Sequence, residues 1–254
     1  MGKIMKTYKK LLEMAEKRAN YFCLLDPDKF EENEAAVIAK RCEDNGADGL
    51  LVGGSLMINN NFEKNLKLIK ESVKIPVIIF PGLFSCVSPY ADAILYLSLI
   101  SSRNPQMLIG EQVRSAPLVK HYGLEAIGTG YMLIESGNST SVHYLSHSFP
   151  LPHSKNDIAV AHALAGEYLG MKIIYMDSGS GAKFPISNEM INAVKKNISV
   201  PLIVGGGIRT PEIAYKKALF GADFVVTGNI LEGNDDPELI REFAEAIHQV
   251  KRND

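Results

Sequence analysis

The sequence lacks a strong charge of one sign, a cysteine framework and a long apolar run. Its 254 residues carry 27 basic and 29 acidic side chains, a formal net charge of -2. This near balance removes the electrostatic basis for binding nucleic acid or a strongly anionic membrane as the main ligand. The three cysteines, Cys23, Cys42 and Cys86, follow no zinc or redox spacing. We therefore expect them to be reduced core residues.

No segment approaches the roughly 20 apolar residues that a membrane span requires. Residues 1–20 alternate charged and apolar side chains at helical spacing and lack the apolar stretch of a signal peptide. We expect a cytoplasmic protein with at most peripheral membrane contact. No Ser/Gly-rich linker or charge block divides the chain. A hydrophobic content of 46% is typical of a globular chain with a large core.

Short apolar runs alternate with amphipathic stretches along the whole chain. Strands are predicted at residues 21–25, 49–52, 77–80, 93–98, 126–134, 172–176, 201–204 and 223–227. Helices are predicted at residues 6–18, 33–44, 63–73, 105–121, 157–169, 188–196, 211–220 and 237–250. The strand runs are nearly continuously apolar, as in a parallel sheet covered on both faces. The pattern predicts one (β/α)₈ TIM barrel over residues 1–254, with a helix before the first strand.

Two connections depart from the repeat. Residues 81–92 contain two prolines and no helical periodicity, so a short irregular segment replaces the third helix of a regular barrel. The barrel flank exposed there needs an apolar ligand or a partner subunit to cover it. Residues 135–156 form a long polar and aromatic connection after the fifth strand. We expect this connection to be a mobile lid or substrate loop, because barrel enzymes bind substrates at that end of the strands.

Two glycine turns follow the seventh and eighth strands. The run Gly205-Gly206-Gly207-Ile208 precedes Thr210, Pro211 and a helix, and Thr227-Gly228-Asn229 ends the eighth strand. Glycine lets backbone N–H groups approach an anion closely, and a helix start adds favourable N–H donors. Because phosphate sites of barrels are commonly built from these two loops, we predict that the two loops bind a phosphate; the alternative is that the glycines only make tight turns.

The sixth strand ends in a polar run, Asp177-Ser178-Gly179-Ser180-Gly181. Its hydroxyls and small residues could surround a polar substrate. Asp177 follows the apolar run and is expected at the mouth, where it could orient and deprotonate a hydroxyl nucleophile. A turn-forming or helix-capping role is the alternative, since Asp and Ser favour such positions.

The first strand ends in Asp26-Pro27-Asp28-Lys29. Magnesium prefers oxygen ligands and usually bridges one or two carboxylates to substrate phosphates. We expect Asp26 to bind Mg²⁺, with the hydroxyl of Ser55 after the second strand as a further oxygen. Pro27 restricts the backbone on either side, so Asp28 is expected to point elsewhere, toward Lys29 or a helix start.

Other polar residues are weaker candidates. Glu135 follows the fifth strand, where substrate binding and a structural ion pair are both open. A metal site is not expected at the histidines of the long connection, because their spacing is irregular. They are His143, His147 and His153.

Five motifs occur together in this chain: LDPDK at 25–29, GGS at 53–55, YMDSGSGA at 175–182, GGGI at 205–208 and TGN at 227–229. In this order and spacing the chain resembles the geranylgeranylglyceryl phosphate synthase family over nearly its whole length. These enzymes are prenyltransferases built on a modified (β/α)₈ barrel without a regular third helix. Several relatives in the family carry Glu at the position of Asp177.

The resemblance implies transfer of a long prenyl group from its diphosphate to the C3 hydroxyl of sn-glycerol 1-phosphate, which forms an ether lipid precursor for phospholipid biosynthesis. It implies that Tyr175 and Asp177 are catalytic residues, and that the prenyl chain runs along the flank left by the missing helix. It also implies Mg²⁺ at Asp26 and Ser55 and a homo-oligomer, either a dimer or a hexamer. The implied glycerol phosphate site consists of Tyr175, Asp177, Ser178, Gly179, Ser180, Gly181, Gly206, Gly207, Gly228 and Asn229.

Two other functions are compatible with the predicted phosphate-binding loops. A sugar-phosphate isomerase barrel and a phosphate-ligand sensor without turnover would both keep the glycine loops. Neither needs Mg²⁺ for the departure of diphosphate, so dependence on magnesium separates them from the transferase.

Overall fold

A computed structural model describes residues 6–30, 34–54, 61–82, 86–228 and 236–252. Eight parallel strands pair in chain order, and the eighth returns to the first, which closes a barrel and confirms the predicted fold class. The strands are β1 (Asn20–Leu25), β2 (Gly49–Val52), β3 (Val77–Ile79), β4 (Ala93–Leu99), β5 (Glu125–Leu133), β6 (Ile173–Asp177), β7 (Leu202–Gly205) and β8 (Phe224–Thr227).

The register of the ladder decides which residues meet at the C-terminal end of the strands. Asp177 is paired with Leu133 of β5 on one side and with Gly205 of β7 on the other. Gly205 is in turn paired with Val226 of β8. The polar residues that follow these strands therefore begin at one level of the barrel, which brings their loops together at one mouth.

The helices lie outside the barrel and cover it. They are α1 (Lys6–Ala15), α2 (Glu34–Asp44), α3 (Phe62–Ser72), α4 (Glu111–Tyr122), α5 (Ser141–Ser146), α6 (Asn156–Tyr168), α7 (Asn188–Lys195), α8 (Pro211–Leu219) and α9 (Pro237–His248). A π-helical turn, Gln106–Gly110, precedes α4. Between β3 and β4 the described residues contain no helix, as the two prolines of that segment predicted.

Two sequence-based expectations need correction. The first helix ends at Ala15 and not at residue 18. The helix predicted to begin at residue 105 is α-helical only from Glu111, because the π-helical turn occupies the preceding residues. The connection 135–156 contains the short helix α5, which the sequence did not indicate, and Leu151 forms a bridge with Ile134.

Apolar side chains form two layers, one inside the barrel and one between the strands and the helices. In β2, for example, Leu51 packs in the inner layer, whereas Leu50 and Val52 pack in the outer layer. This division explains the continuous apolar strands, because successive side chains point to opposite faces and both faces are buried.

The N-terminal face of the barrel is closed by α1. Leu11 of this helix is buried with the inner layer. The Glu125 carboxylate at the start of β5 accepts hydrogen bonds from the Thr7 and Tyr8 backbone N–H groups at 2.9 and 2.8 Å. Negative charge at a helix N-terminus is favourable, so this contact holds α1 against the barrel. Substrates are therefore expected at the opposite, C-terminal face.

Candidate active site

Two cavities open at the C-terminal mouth of the barrel. The larger has a volume of about 360 Å³ and the smaller of about 100 Å³. Four residues line both cavities: Leu24, Asp177, Ser180 and Gly228. Ligands in the two cavities would therefore meet at the ends of β1, β6 and β8.

Asp177 lies at this junction as the last residue of β6. Its side chain is only 8% exposed, and its carboxylate accepts hydrogen bonds from the Tyr131 hydroxyl at 2.6 Å and the Gly179 backbone N–H at 2.8 Å. Burial raises the pKa of Asp177 above its ordinary value, while these two hydrogen bonds oppose the rise. The predicted turn contact is thus present, and the same carboxylate lies where the two cavities meet.

An aromatic cluster surrounds the Asp177 carboxylate. The Tyr131 and Tyr175 rings meet edge to face at 5.4 Å between centroids, and the Phe80 ring lies 5.5 Å from that of Tyr175. Burial, followed by the nearby Asp177 charge, raises the pKa of both tyrosines well above 10.0. Both phenols therefore remain neutral hydroxyl groups at physiological pH, and the Tyr131 hydroxyl donates to the carboxylate.

Tyr131 is not among the site residues predicted from the sequence, although its hydroxyl contacts Asp177. Tyr131 pairs with Tyr175 in the β5–β6 register. It also precedes the buried Leu133 by two residues, which places both side chains on one face of the strand. That period-two relation was a usable signal for a side chain pointing into the barrel.

The smaller cavity is bounded by two glycine loops, residues 178–182 after β6 and residues 206–209 after β7. Gly206 has a φ of +82°, and a Cβ there would lie 2.6 Å from Asp177 Oδ1 and 2.8 Å from the Ser178 backbone nitrogen. Only glycine permits this backbone at such close approach. Within the described chain, the Gly206, Gly207 and Gly228 backbone N–H groups donate to no protein acceptor, so they can serve an anion.

The residues predicted to bind glycerol phosphate fall into two groups: those that line the smaller cavity and those that do not. Ser178 is outside the lining, and its hydroxyl is buried without a hydrogen-bond partner in the described chain. Asn229 follows the last described residue of that segment, so its predicted role falls outside the described residues. The predicted residues that line the cavity are Tyr175, Asp177, Gly179, Ser180, Gly181, Gly206, Gly207 and Gly228.

Asp26 lines the larger cavity at the end of β1. Its carboxylate accepts from the Asp28 backbone N–H at 3.1 Å and lies 4.0 Å from the Lys29 ammonium group. A Cβ at Gly54 would lie 2.6 Å from Asp26 Oδ2, so the glycine turn after β2 leaves room for the carboxylate. Asp28 lies outside both cavity linings. Ser55, the other predicted magnesium ligand, falls outside the described residues.

The connection 135–156 forms a wall of the larger cavity. Four α5 residues, Ser141, Val142, Leu145 and Ser146, line it, which supports the predicted substrate loop. This wall is tied to the first glycine loop, because the Asn138 side chain donates to the Gly181 carbonyl at 3.2 Å and accepts from the Lys183 backbone N–H at 2.9 Å. The two cavities therefore share a hydrogen-bonded boundary.

Glu135 and the loop histidines lie away from the cavities. The Glu135 carboxylate is 3.6 Å from His153 Nδ1 at the surface, and neither residue lines a cavity. Within the described part of the chain, no group of three His, Cys, Asp or Glu residues could hold a metal ion.

The larger cavity is mainly apolar and extends toward the irregular segment after β3. Phe80, Pro81, Gly82 and Val87 line that side, and Leu97, Leu99 and Met107 line the wall from β4 and the π-helical turn. An apolar channel thus lies beside the segment between β3 and β4, whose described residues contain no helix. The described residues include no helix that is long and apolar enough to cross a bilayer.

Comparison with known proteins places this geometry in a family. Residues 12–247 match the model of the PcrB family. The geranylgeranylglyceryl phosphate synthase of Chitinophaga pinensis is 47% identical, with 96% of each chain covered. That of Thermococcus kodakarensis is 43% identical and covers 98% of this chain and 97% of its own.

A solved structure has the same fold and a bound substrate. It is (S)-3-O-geranylgeranylglyceryl phosphate synthase from Thermoplasma acidophilum in complex with sn-glycerol-1-phosphate. Its TM-score to this chain is 0.91 at 32% identity, with 98% of this chain and all of that chain covered. The chain therefore belongs to the PcrB family, and the resemblance to geranylgeranylglyceryl phosphate synthases that its motifs indicated is confirmed.

Proposed function

We propose that this protein transfers a geranylgeranyl group from its diphosphate to the C3 hydroxyl of sn-glycerol 1-phosphate. The C1–oxygen bond to the diphosphate breaks, an ether bond forms between C1 and the acceptor oxygen, and the hydroxyl proton passes to Asp177. The observation that carries this proposal is the meeting of a small glycine-bounded cavity and a larger apolar cavity at the buried Asp177.

Glycerol 1-phosphate fits the smaller cavity. Backbone N–H groups of Gly206, Gly207 and Gly228 supply donors for its phosphate. Asp177 lies next to Gly206 and lines the same cavity, where it can accept a hydrogen bond from the glycerol C3 hydroxyl. The relative from Thermoplasma acidophilum, solved with sn-glycerol-1-phosphate, supports this choice of acceptor.

Asp177 acts as the general base in this account. Burial raises its pKa, which makes the carboxylate a better proton acceptor than an exposed aspartate. The Tyr131 hydroxyl and the Gly179 backbone N–H each donate to one carboxylate oxygen and hold the group in place, while the remaining lone pairs of these oxygens can accept from the glycerol hydroxyl. Tyr175, beneath Gly205, shapes the floor of the acceptor site.

The residues around Asp26 fit a magnesium ion. A carboxylate at the strand end lines the cavity that would hold the prenyl diphosphate, and Gly54 leaves space beside it. Magnesium is commonly bound by one or two carboxylates together with substrate phosphates, so one protein carboxylate with a hydroxyl from Ser55 is an adequate set. When bound, Mg²⁺ would neutralise charge that develops on the departing diphosphate.

The apolar part of the larger cavity suits the prenyl chain. The residues that line this part, which include Phe80 and Met107, offer few hydrogen-bonding groups. A cytoplasmic location, assembly into a dimer or hexamer and transient membrane contact during product release are further parts of this proposal. They follow from the sequence motifs and from the chemistry of a lipid product.

The test is a transfer assay with radiolabelled sn-glycerol 1-phosphate, prenyl diphosphates of several lengths, and Mg²⁺ or EDTA. We expect a labelled product in the organic phase with geranylgeranyl diphosphate, and its loss when EDTA removes the metal. sn-Glycerol 3-phosphate is the matched control, because it presents the same groups with the opposite stereochemistry.

Absence of organic-soluble label under every condition would contradict a transferase. Labelled product formed equally well in EDTA would instead contradict only the role of magnesium. Binding of glycerol phosphate without any turnover would favour the phosphate sensor, and interconversion of a sugar phosphate would favour the isomerase.

A further inference from the structure

Few charged side chains occur among the described residues that line the smaller cavity. Among the residues that the structure describes, its lining contains one acidic side chain, Asp177, and one basic side chain, Arg209. The other described lining residues carry apolar or hydroxyl side chains or are glycines. A phosphate bound here would bring up to two negative charges next to a carboxylate. Backbone N–H groups supply dipoles but no net positive charge to offset this repulsion.

Arg209 is positioned to supply that charge. It directly follows Ile208 in the second glycine loop and is exposed at the cavity rim. One guanidinium nitrogen donates to the Ala182 carbonyl at 3.0 Å. Within the described chain this is its single hydrogen bond. Because a guanidinium carries several N–H donors in a planar fork, the remaining donors can reach a phosphate oxygen.

The contact with Ala182 also fixes where the charge lies. Ala182 ends the first glycine loop, and Arg209 belongs to the second, so the hydrogen bond ties the two walls of the cavity together. Preorganisation of this kind reduces the entropy that a long side chain loses when it binds a ligand. The guanidinium is therefore held at the entrance before the anion arrives.

We infer that Arg209 is a substrate-binding residue that contributes the positive charge for the acceptor phosphate. The inference rests on the proposed glycerol phosphate acceptor and goes beyond the glycine loops and Asp177 that define its site. A purely structural role for Arg209 as a tie between the loops makes a different prediction, since it requires the hydrogen bond to Ala182 and not the charge.

Isothermal titration calorimetry of the full chain with inorganic phosphate and with sn-glycerol 1-phosphate tests this inference. We expect Arg209→Gln to weaken both affinities by roughly tenfold to a hundredfold, the range typical of a lost charge-assisted hydrogen bond. Arg209→Lys keeps the charge and should lose less than Arg209→Gln. Added salt should weaken binding to the wild type more than binding to Arg209→Gln.

Arg241→Gln is the matched control, because Arg241 pairs with Glu238 on α9 and lines neither cavity. Both affinities should be unchanged in this variant. In transfer assays, Arg209→Gln should raise the KM for glycerol 1-phosphate and leave the KM for the prenyl diphosphate unchanged.

Wild-type affinities in Arg209→Gln would overturn the inference, as would equal losses in the Gln and Lys variants or a wild type that binds neither anion. Phosphate binding needs no prenyl transfer. If the wild type makes no lipid product but Arg209→Gln still loses phosphate affinity, the proposed function fails and the inference stands.

Discussion

At the residue scale, Tyr131 controls the proton affinity of Asp177. Its hydroxyl donates to the charged carboxylate and lowers a pKa that burial raises. Removal of the hydroxyl leaves the burial effect less opposed, so the pKa of Asp177 rises further. A general base loses activity as pH falls through its pKa. We therefore expect Tyr131→Phe to move the acidic limb of the kcat/KM profile to higher pH.

The matched control is Tyr96→Phe, which removes a hydroxyl from the lining of the same cavity without touching Asp177. The Tyr96 hydroxyl donates to the Gln112 carbonyl. Its loss should leave the acidic limb in place. A limb that does not move in Tyr131→Phe, or that moves equally in both variants, would argue against Asp177 as the base.

Also at the residue scale, Gly206 should be indispensable for phosphate binding. Valine at this position would adopt an unfavourable positive φ and place atoms against Asp177 and the Ser178 backbone. We expect Gly206→Val to reduce the affinity for glycerol 1-phosphate by at least roughly tenfold, measured by calorimetry.

Gly170→Val separates crowding from backbone strain. Gly170 has a φ of +89°, but a Cβ there meets no atom within 4 Å. This variant should lose stability and keep its affinity. Unchanged affinity in a folded Gly206→Val would mean that the phosphate binds elsewhere.

At the element scale, buried Lys217 joins α8 to the start of α7. Its ammonium group donates to the Ile186 carbonyl at 2.6 Å and to Asn188 Oδ1 at 2.8 Å. Burial lowers the pKa of Lys217 to about 8 from 10.5. Between these two values the unfolded chain binds more protons than the folded chain, so stability rises with pH.

We expect the free energy of unfolding, measured by denaturant titration, to increase with pH across this window relative to Lys217→Met, which cannot titrate. Below pH 8 Lys217 should contribute no pH dependence, so the free energies of unfolding of the two proteins should change in parallel. Parallel curves throughout the window would show that Lys217 is not perturbed in the folded state.

The sequence predicted most elements to within one to three residues because each strand is a continuous apolar run between polar turns. Helix α5 was missed because its six residues, SVHYLS, carry no amphipathic repeat. The π-helical turn before α4 likewise leaves the apolar periodicity nearly intact. A local sequence pattern indicates which side chains are buried. Neither α5 nor the π-helical turn produces a distinctive pattern of buried side chains, so neither could be predicted in this way.

The site was predictable where one short motif carries it and unpredictable where distant strands create it. Asp177 ends a strand, Asp26, Gly206 and Gly228 each follow one, and parallel strands end at one mouth. The Tyr131–Asp177 hydrogen bond depends on the β5–β6 register across 46 positions. No spacing rule within a single segment contains that register.

At the scale of the whole molecule, the two reactants are expected to bind on different sides of the mouth. The diphosphate is expected at the end of β1, and glycerol phosphate at the ends of β6 to β8. Asp26 lines only the larger cavity. We therefore expect Asp26→Ala to reduce kcat by roughly a hundredfold or more. Its Kd for glycerol 1-phosphate should stay within about twofold of wild type. Calorimetry and transfer assays on the same preparation measure both quantities.

Asp157→Ala is the control for loss of an acidic side chain, because Asp157 is exposed at the start of α6 and lines neither cavity. It should change neither kcat nor affinity. Equal losses of turnover and acceptor binding in folded Asp26→Ala would contradict the division between the two sides of the mouth.

Both reactants are expected to bind in one opening, in contact with each other. The decisive experiment is a crystal structure with sn-glycerol 1-phosphate, Mg²⁺ and an unreactive thio analogue of geranylgeranyl diphosphate. We expect the acceptor phosphate at Gly206 and Gly228, the diphosphate beside Asp26, and the C3 hydroxyl roughly 3–3.5 Å from C1 of the prenyl group. Phosphate groups bound on opposite faces of the barrel, or reactive atoms too far apart to bond, would contradict it.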